Sequence, residues 1–237
     1  MNAQHLIPLL DLTSLNDSDT PETIEHLCQQ ALTPLGPVAA VCIYPKFVRQ
    51  AQNLLAGANI KIATVVNFPD GNEALIDCIS EIKQVMQDGA HEIDVVMPYE
   101  NYLDGDVNNV LEFLQACRGI MGADMVMKVI LETGALINPE IVAGAAQLAI
   151  EAKANFIKTS TGKINVGATL QAAAAILNTI KASAKPVGFK VAGGVRTVEQ
   201  AVEYIQLAEK IMGKEWISPQ TMRLGASSLL DNILESD

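Results

Sequence analysis

Along the chain, short aliphatic and β-branched runs alternate with segments whose apolar residues recur every three or four positions. No Pro/Ser-rich linker or low-complexity tract interrupts the alternation. The runs predict eight strands, at residues 7–12, 39–44, 61–67, 92–97, 125–131, 156–160, 187–191 and 222–225. The periodic segments predict eight helices, at residues 22–32, 46–56, 73–88, 107–121, 139–152, 168–182, 198–212 and 227–234. Capping chemistry marks several helix starts. Thr20-Pro21-Glu22 and Asn138-Pro139-Glu140 each offer an N-cap side chain followed by proline at the first helical position. Thr197-Val198-Glu199-Gln200 has the form of a capping box.

Strands from the middle of the chain, such as Ile93-Asp94-Val95-Val96-Met97 and Val126-Met127-Lys128-Val129-Ile130-Leu131, are almost wholly apolar rather than alternating. Both faces are therefore buried, as in a parallel sheet covered by helices. Eight βα units in 237 residues predict an α/β fold, a single-domain (β/α)8 TIM barrel over residues 1–237, with a doubly wound open sheet as second choice.

Composition narrows the partners. With 49% apolar, 18% charged and 4% aromatic residues the chain can build a large aliphatic core and is too hydrophobic to be disordered. A net charge of −11 repels phosphate backbones and anionic lipid, so neither nucleic acid nor a membrane surface is expected as a partner. An anionic small molecule would need a local cluster of donors. The first residues carry no basic n-region and no apolar run approaches a membrane span, while Cys28, Cys42, Cys78 and Cys117 are widely separated; together these point to a reduced, cytoplasmic protein. His5, His26 and His91 are scattered, without H-x-H, H-E-x-x-H or Cys/His zinc spacing, so no metal and no cofactor is expected.

Charge interrupts the strands. Asp94, Lys128, Lys158 and Lys190 fall in the fourth, fifth, sixth and seventh predicted strands. An unpaired ion there is strongly unfavourable. One such pair reads equally well as a structural salt bridge, but charges on four successive strands converge where barrel enzymes place their active sites. If Lys158 and Lys190 both point inward from neighbouring strands, two ammonium ions at roughly 6 Å repel by about 3 kcal/mol at an effective dielectric near 20. That leaves one amine partly neutral near pH 7. A neutral lysine attacks carbonyls and forms a Schiff base, whose iminium accepts electrons when a C–C bond breaks. Asp94 could move the protons.

Two glycine-rich segments follow the last strands, Ala192-Gly193-Gly194-Val195-Arg196-Thr197 and Gly225-Ala226-Ser227-Ser228. Either could be simple turn and cap glycine. Together, with Gly162 and Lys163 on the neighbouring loop, they offer the backbone donors of a phosphate cradle, at the usual place for one in this barrel.

The stretches Asp11-Leu12-Thr13-Ser14-Leu15-Asn16, Val41-Cys42-Ile43-Tyr44-Pro45, Asn67-Phe68-Pro69-Asp70-Gly71-Asn72 and Glu92-Ile93-Asp94-Val95-Val96, with residues 156–163, 189–197 and 225–228, resemble the 2-deoxyribose-5-phosphate aldolase family in combination and order. The resemblance implies a class I aldolase that reversibly cleaves 2-deoxy-D-ribose 5-phosphate to acetaldehyde and D-glyceraldehyde 3-phosphate in deoxynucleoside breakdown. It implies Lys158 as the Schiff-base lysine, Lys190 as its perturbing neighbour and Asp94 as proton donor and acceptor. Gly162, Lys163, Gly193, Gly194, Val195, Arg196, Gly225, Ser227 and Ser228 match positions around the phosphate, and Thr161 beside them is a further substrate-binding position. Asp11 and Thr13 could hydrogen-bond the lysines or a sugar hydroxyl, Cys42 lines the pocket or fills the core, and Lys128 joins the charge network. Partners implied are a phosphorylated sugar, short aldehydes and a second copy of the chain in a homodimer. One departure stands out: some members end in a mobile tail with a terminal tyrosine linked to proton exchange on the acetaldehyde carbon, whereas here no tyrosine follows Tyr204. Water or another side chain would have to serve. Rival readings are a lyase for a different phosphorylated sugar, a barrel that binds sugar phosphate without turnover and, disfavoured by the ligand shortage, a metal-dependent aldolase.

Overall fold

The computed structural model describes residues 3–235; the ends of the 1–237 span, including Ser236 and Asp237 of the C-terminal tail, lie outside the described residues. Eight parallel strands close into a barrel: β1 (Leu10–Ser14), β2 (Ala40–Ile43), β3 (Lys61–Val66), β4 (Glu92–Val96), β5 (Val126–Ile130), β6 (Phe156–Lys158), β7 (Gly188–Ala192) and β8 (Met222–Ala226). Each pairs with its sequence neighbours, and β1 closes the circle against β8. This is the (β/α)8 barrel expected from the alternation.

Around it run α1 (Pro21–Gln30), α2 (Val48–Leu54), α3 (Leu75–Asp88), α4 (Val107–Ile120), α5 (Pro139–Glu151), α6 (Leu170–Ser183), α7 (Val198–Met212) and α8 (Leu229–Glu235). The caps read from sequence form. Thr20 and Thr197 close capping boxes with Thr23 and Gln200, and the Asn138 side chain accepts from the Glu140 N–H. Each supplies a partner to first-turn amides that the helix cannot satisfy itself.

Period-2 geometry sends alternate residues to opposite faces of each strand. Outward residues such as Leu12, Ile62, Ile93, Val129, Ile157, Phe189 and Leu224 are fully buried under the helices in one continuous apolar layer. Inward residues form a second environment. From β2 and β3 they are small and apolar, Ala40, Cys42, Ala63 and Val65, in a separate cluster with Leu15. From the other strands they include seven charged residues, Asp11, Glu92, Asp94, Lys128, Lys158, Lys190 and Arg223.

The first strand is displaced from its expected position at residues 7–12. Ala3–Leu9 is a 3-10 helix containing Pro8, and the ladder begins at Leu10. Pro8 has no N–H to give a ladder. Leu6 and Ile7 are apolar because they are buried where this turn packs on β8, α8 and a small antiparallel ribbon (Leu32–Thr33 with Gly36–Pro37). The ribbon and two short helices, Tyr99–Leu103 and Thr133–Leu136, were not anticipated; each is too short to show a period.

Candidate active site

Strand register explains why the charges meet. Lys158 pairs with Lys190, Lys190 with Arg223, and Lys128 with Asp94, so each pair shares the inner face. Lys128 and Lys190 are 0% exposed and Lys158 only 2%. Room for these long stems comes from glycine. A Cβ on Gly225 would sit 3.0 Å from Lys190 Cε, and one on Gly188 would collide with the Phe156 ring, on which the Arg223 guanidinium rests at 5.6 Å.

Six of the groups form a closed circuit of alternating sign. Arg223 donates to Asp11 Oδ1 at 2.6 Å, and Asp11 Oδ2 lies 2.5 Å from Lys190 Nζ. Lys190 donates to Asp94 Oδ2 at 2.8 Å, while Asp94 Oδ1 accepts from Lys128 at 2.8 Å. Lys128 Nζ is 2.6 Å from Glu92 Oε2, and Glu92 Oε1 accepts from Arg223 at 3.0 Å, closing the loop. Three cations balance three carboxylates. Lys158 is the seventh member and stands outside the circuit, joined by a single 2.8 Å bond to the Asp94 Oδ2 that Lys190 also uses. With every group ionised the cluster carries one positive charge too many, and that surplus sits on Lys158.

The ionisation of the circuit is strongly held. Burial alone would raise the Asp94 carboxyl, but Lys128, Lys158 and Lys190 hold it well below the usual carboxylate range. Asp11 is lowered in the same way by Lys190, Arg223 and Lys128 against the cost of burial. Burial opposes the charge of Lys190 too, yet Asp11 and Asp94 raise it above an ordinary lysine, so Lys190 stays an ammonium. Lys128 is raised by Asp94 and Glu92. Asp94 Oδ2 stands between the two adjacent lysines and accepts from both.

Above this layer opens a cavity of about 260 Å³ with Lys158 at its inner end. Thr13, Leu15 and Asn16 line it from the end of β1, Thr161, Gly162 and Lys163 from the loop after β6, Gly193, Gly194, Val195 and Arg196 from the loop after β7, and Gly225 and Ser227 from the end of β8. Its cations are Lys158, Lys163 and Arg196, and among the described residues no carboxylate lines it. Gly193 takes φ +89°, a left-handed backbone open to glycine, and a Cβ there would lie 3.1 Å from Gly167 Cα, where the two loops touch. Lys163 Nζ stands 5.9 Å over the Tyr44 ring and 3.9 Å from Asp17 Oδ1.

Residues 5–234 match the family described as DeoC/LacD family aldolases. The chain belongs to that family. Among solved structures, a Coccidioides immitis protein provisionally described as a deoxyribose-phosphate aldolase superposes with a TM-score of 0.89 at 28% identity, over 100% of this chain and 87% of the other. An aldolase called QR15 gives 0.82 at 27% identity, covering 97% and 96%. The deoxyribose phosphate aldolase of Aeropyrum pernix, described as a unique tetramer, shares the fold with a TM-score of 0.82 at 24% identity, over 99% and 92%.

In this family member the expected site residues divide by depth. Ten line the cavity with Lys158, among them Thr13, Thr161 and Ser227. Asp11, Asp94, Lys128 and Lys190 lie beneath it in the charged circuit, and Lys128 acquires a defined place between Glu92 and Asp94. Cys42 is buried in the small-residue sector, its thiol raised by burial, and does not line the cavity. Ser228 also falls outside the lining, exposed in the bend before α8. Sequence reasoning passed over Glu92, Arg223 and Glu132. The signal for the first two was present: both fall inside predicted strands and, by period 2, share a face with Asp94 and Gly225. Glu132, fully buried just past β5 in a left-handed backbone, takes the Thr161 hydroxyl and gave no such signal. Among the described residues no group of His, Cys, Asp and Glu is arranged to hold a metal ion, and no helix is long and apolar enough to cross a membrane.

Proposed function

We propose that this DeoC/LacD family aldolase is a class I enzyme that reversibly cleaves 2-deoxy-D-ribose 5-phosphate to acetaldehyde and D-glyceraldehyde 3-phosphate, with Lys158 as the Schiff-base lysine. The observation that carries the reading is a cavity lined, among the described residues, by three cations and no acid in a chain of net charge −11, with the surplus amine of the buried cluster at its inner end. The similar structures described as deoxyribose-phosphate aldolases agree with it.

Lys158, having given up its proton, adds to the sugar aldehyde, and loss of water leaves an iminium. Removal of the proton from the C3 hydroxyl lets the C2–C3 bond break. Its electron pair moves into the enamine, and glyceraldehyde 3-phosphate departs. Protonation of the enamine carbon and addition of water release acetaldehyde and the amine. Lys190, held as an ammonium, shares Asp94 Oδ2 with Lys158, and that oxygen is the path by which protons pass between them. Lys163, Arg196, Ser227 and the backbone of residues 193–195 are the donors for the phosphate.

Incubation with acetaldehyde, reduction with borohydride and peptide mapping tests the assignment: the adduct is expected on Lys158. Phosphate binding with Lys158 unmodified would favour a passive sugar-phosphate receptor. Comparison of deoxyribose 5-phosphate with other phosphorylated aldoses and ketoses separates this substrate from others open to a lyase of the same design. The homodimer and the cytoplasmic setting rest on the resemblance and the cysteine pattern, and light scattering decides the first.

A further inference from the structure

Arg223 and Glu92 line no part of the cavity, yet they complete the circuit below it. We propose that this pair are positioning residues whose opposite charges set the balance of the buried cluster, and through it the pH at which the amine facing the cavity can react. The inference rests on the Schiff-base reading above and extends it one layer down.

The geometry gives the reason. The circuit of Arg223, Asp11, Lys190, Asp94, Lys128 and Glu92 is neutral as it stands, and Lys158 is attached to it by one bond. Releasing a proton from Lys158 therefore brings the whole cluster to neutrality. A guanidinium cannot be deprotonated in a protein, so the charge on Arg223 is fixed. Remove it and the circuit becomes an anion that retains the Lys158 proton. Neutralise Glu92 instead and the circuit becomes a cation that expels it. The other charged or titratable groups around Lys158 are Asp94 from β4, Lys128 from β5, Lys190 from β7, the Cys42 thiol from β2, Glu132 from the end of β5 and, along the cavity, Lys163 and Arg196. All of these residues stay in place in both substitutions, although Glu92→Gln takes from Lys128 one of its carboxylate partners.

Glu92 on β4 and Arg223 on β8 each lie two strands from Lys158 on β6. Two strand spacings are about 10 Å, and at an effective dielectric near 20 a unit charge at that distance moves the acid limb of an activity profile by about one pH unit. The test follows formation of the acetaldehyde adduct, trapped by borohydride, as a function of pH in wild type, Arg223→Gln, Arg223→Lys and Glu92→Gln, with deoxyribose 5-phosphate cleavage measured alongside. The midpoint should move alkaline by about one unit in Arg223→Gln, move acidic by a similar amount in Glu92→Gln, and return close to wild type in Arg223→Lys. A purely structural pair would lower the amplitude of both without moving the midpoints apart. Midpoints that coincide or shift in the same sense overturn the proposal while leaving a labelled Lys158 and the Schiff-base reading intact. An unlabelled Lys158 in the wild type overturns both. Should Arg223→Gln not fold, the isosteric Glu92→Gln decides alone, by whether its midpoint falls.

Discussion

The two sides of the barrel interior solve the same packing problem in opposite ways. On β2 and β3 the inward positions hold Ala40, Cys42, Ala63 and Val65, a dry cluster closed by Leu15. On β4 to β8 they include Glu92, Asp94, Lys128, Lys158, Lys190 and Arg223, also buried but ionisable. The apolar side needs nothing beyond contact. The charged side is tolerable only because each carboxylate oxygen of the circuit meets a cation and each circuit cation meets at least two carboxylates, since a lone buried ion would cost several kcal/mol. The difference teaches where reactivity arises. A balanced circuit is inert, and the one amine in excess of it is the one that faces the cavity.

That contrast can be broken most sharply at its surplus member. Lys158→Ala should lower turnover by about 10⁴-fold or more, the scale of deleting a nucleophile, while leaving a balanced circuit and a melting temperature near wild type. Retained turnover would refute the role. Asp94→Asn removes the carboxylate that three lysines share, and urea unfolding should register a loss of about 3–5 kcal/mol. Lys190→Leu should move the acid limb of the rate profile alkaline by about 2 pH units, because it deletes a circuit cation adjacent to Lys158; an unmoved limb would mean that the charge balance does not govern the amine.

Acid should act on the charged side alone. Asp11 and Asp94 are held below the ordinary carboxylate value of 3.8, so the stability they contribute is complete above that pH and is lost as pH falls through their lower folded values. Melting temperature measured downward from pH 5 should fall below about pH 4 in wild type, and less steeply in Asp94→Asn. The smallest effect belongs to the apolar side, where Cys42→Ala should cost about 1 kcal/mol through a small cavity, with the pH profile unmoved. A shifted profile there would make the thiol part of the charged machinery.

Much of the barrel was legible because it depends on local patterns. Caps at Thr20, Asn138 and Thr197 and apolar strands at 92–97 and 125–131 declare themselves within a few residues. The start of β1 was not legible, since burial of Leu6 and Ile7 in a turn looks the same in sequence as burial in a strand. Lys158, Lys190 and Asp94 stood out as charges where charge is costly. Arg223 and Glu92 met the same criterion, but their meaning depends on which oxygen meets which nitrogen across strands separated by 131 positions in the chain.

The amino-acid order by itself determined the α/β alternation, the presence of ions in the barrel wall and the glycine-rich loops at its rim, because each is a property of neighbouring residues. Only the closed tertiary structure decided that six of those ions cancel in a circuit and that Lys158 is left over beside the cavity. Coulomb energy is summed over distances in space, and those distances exist only once β1 has met β8.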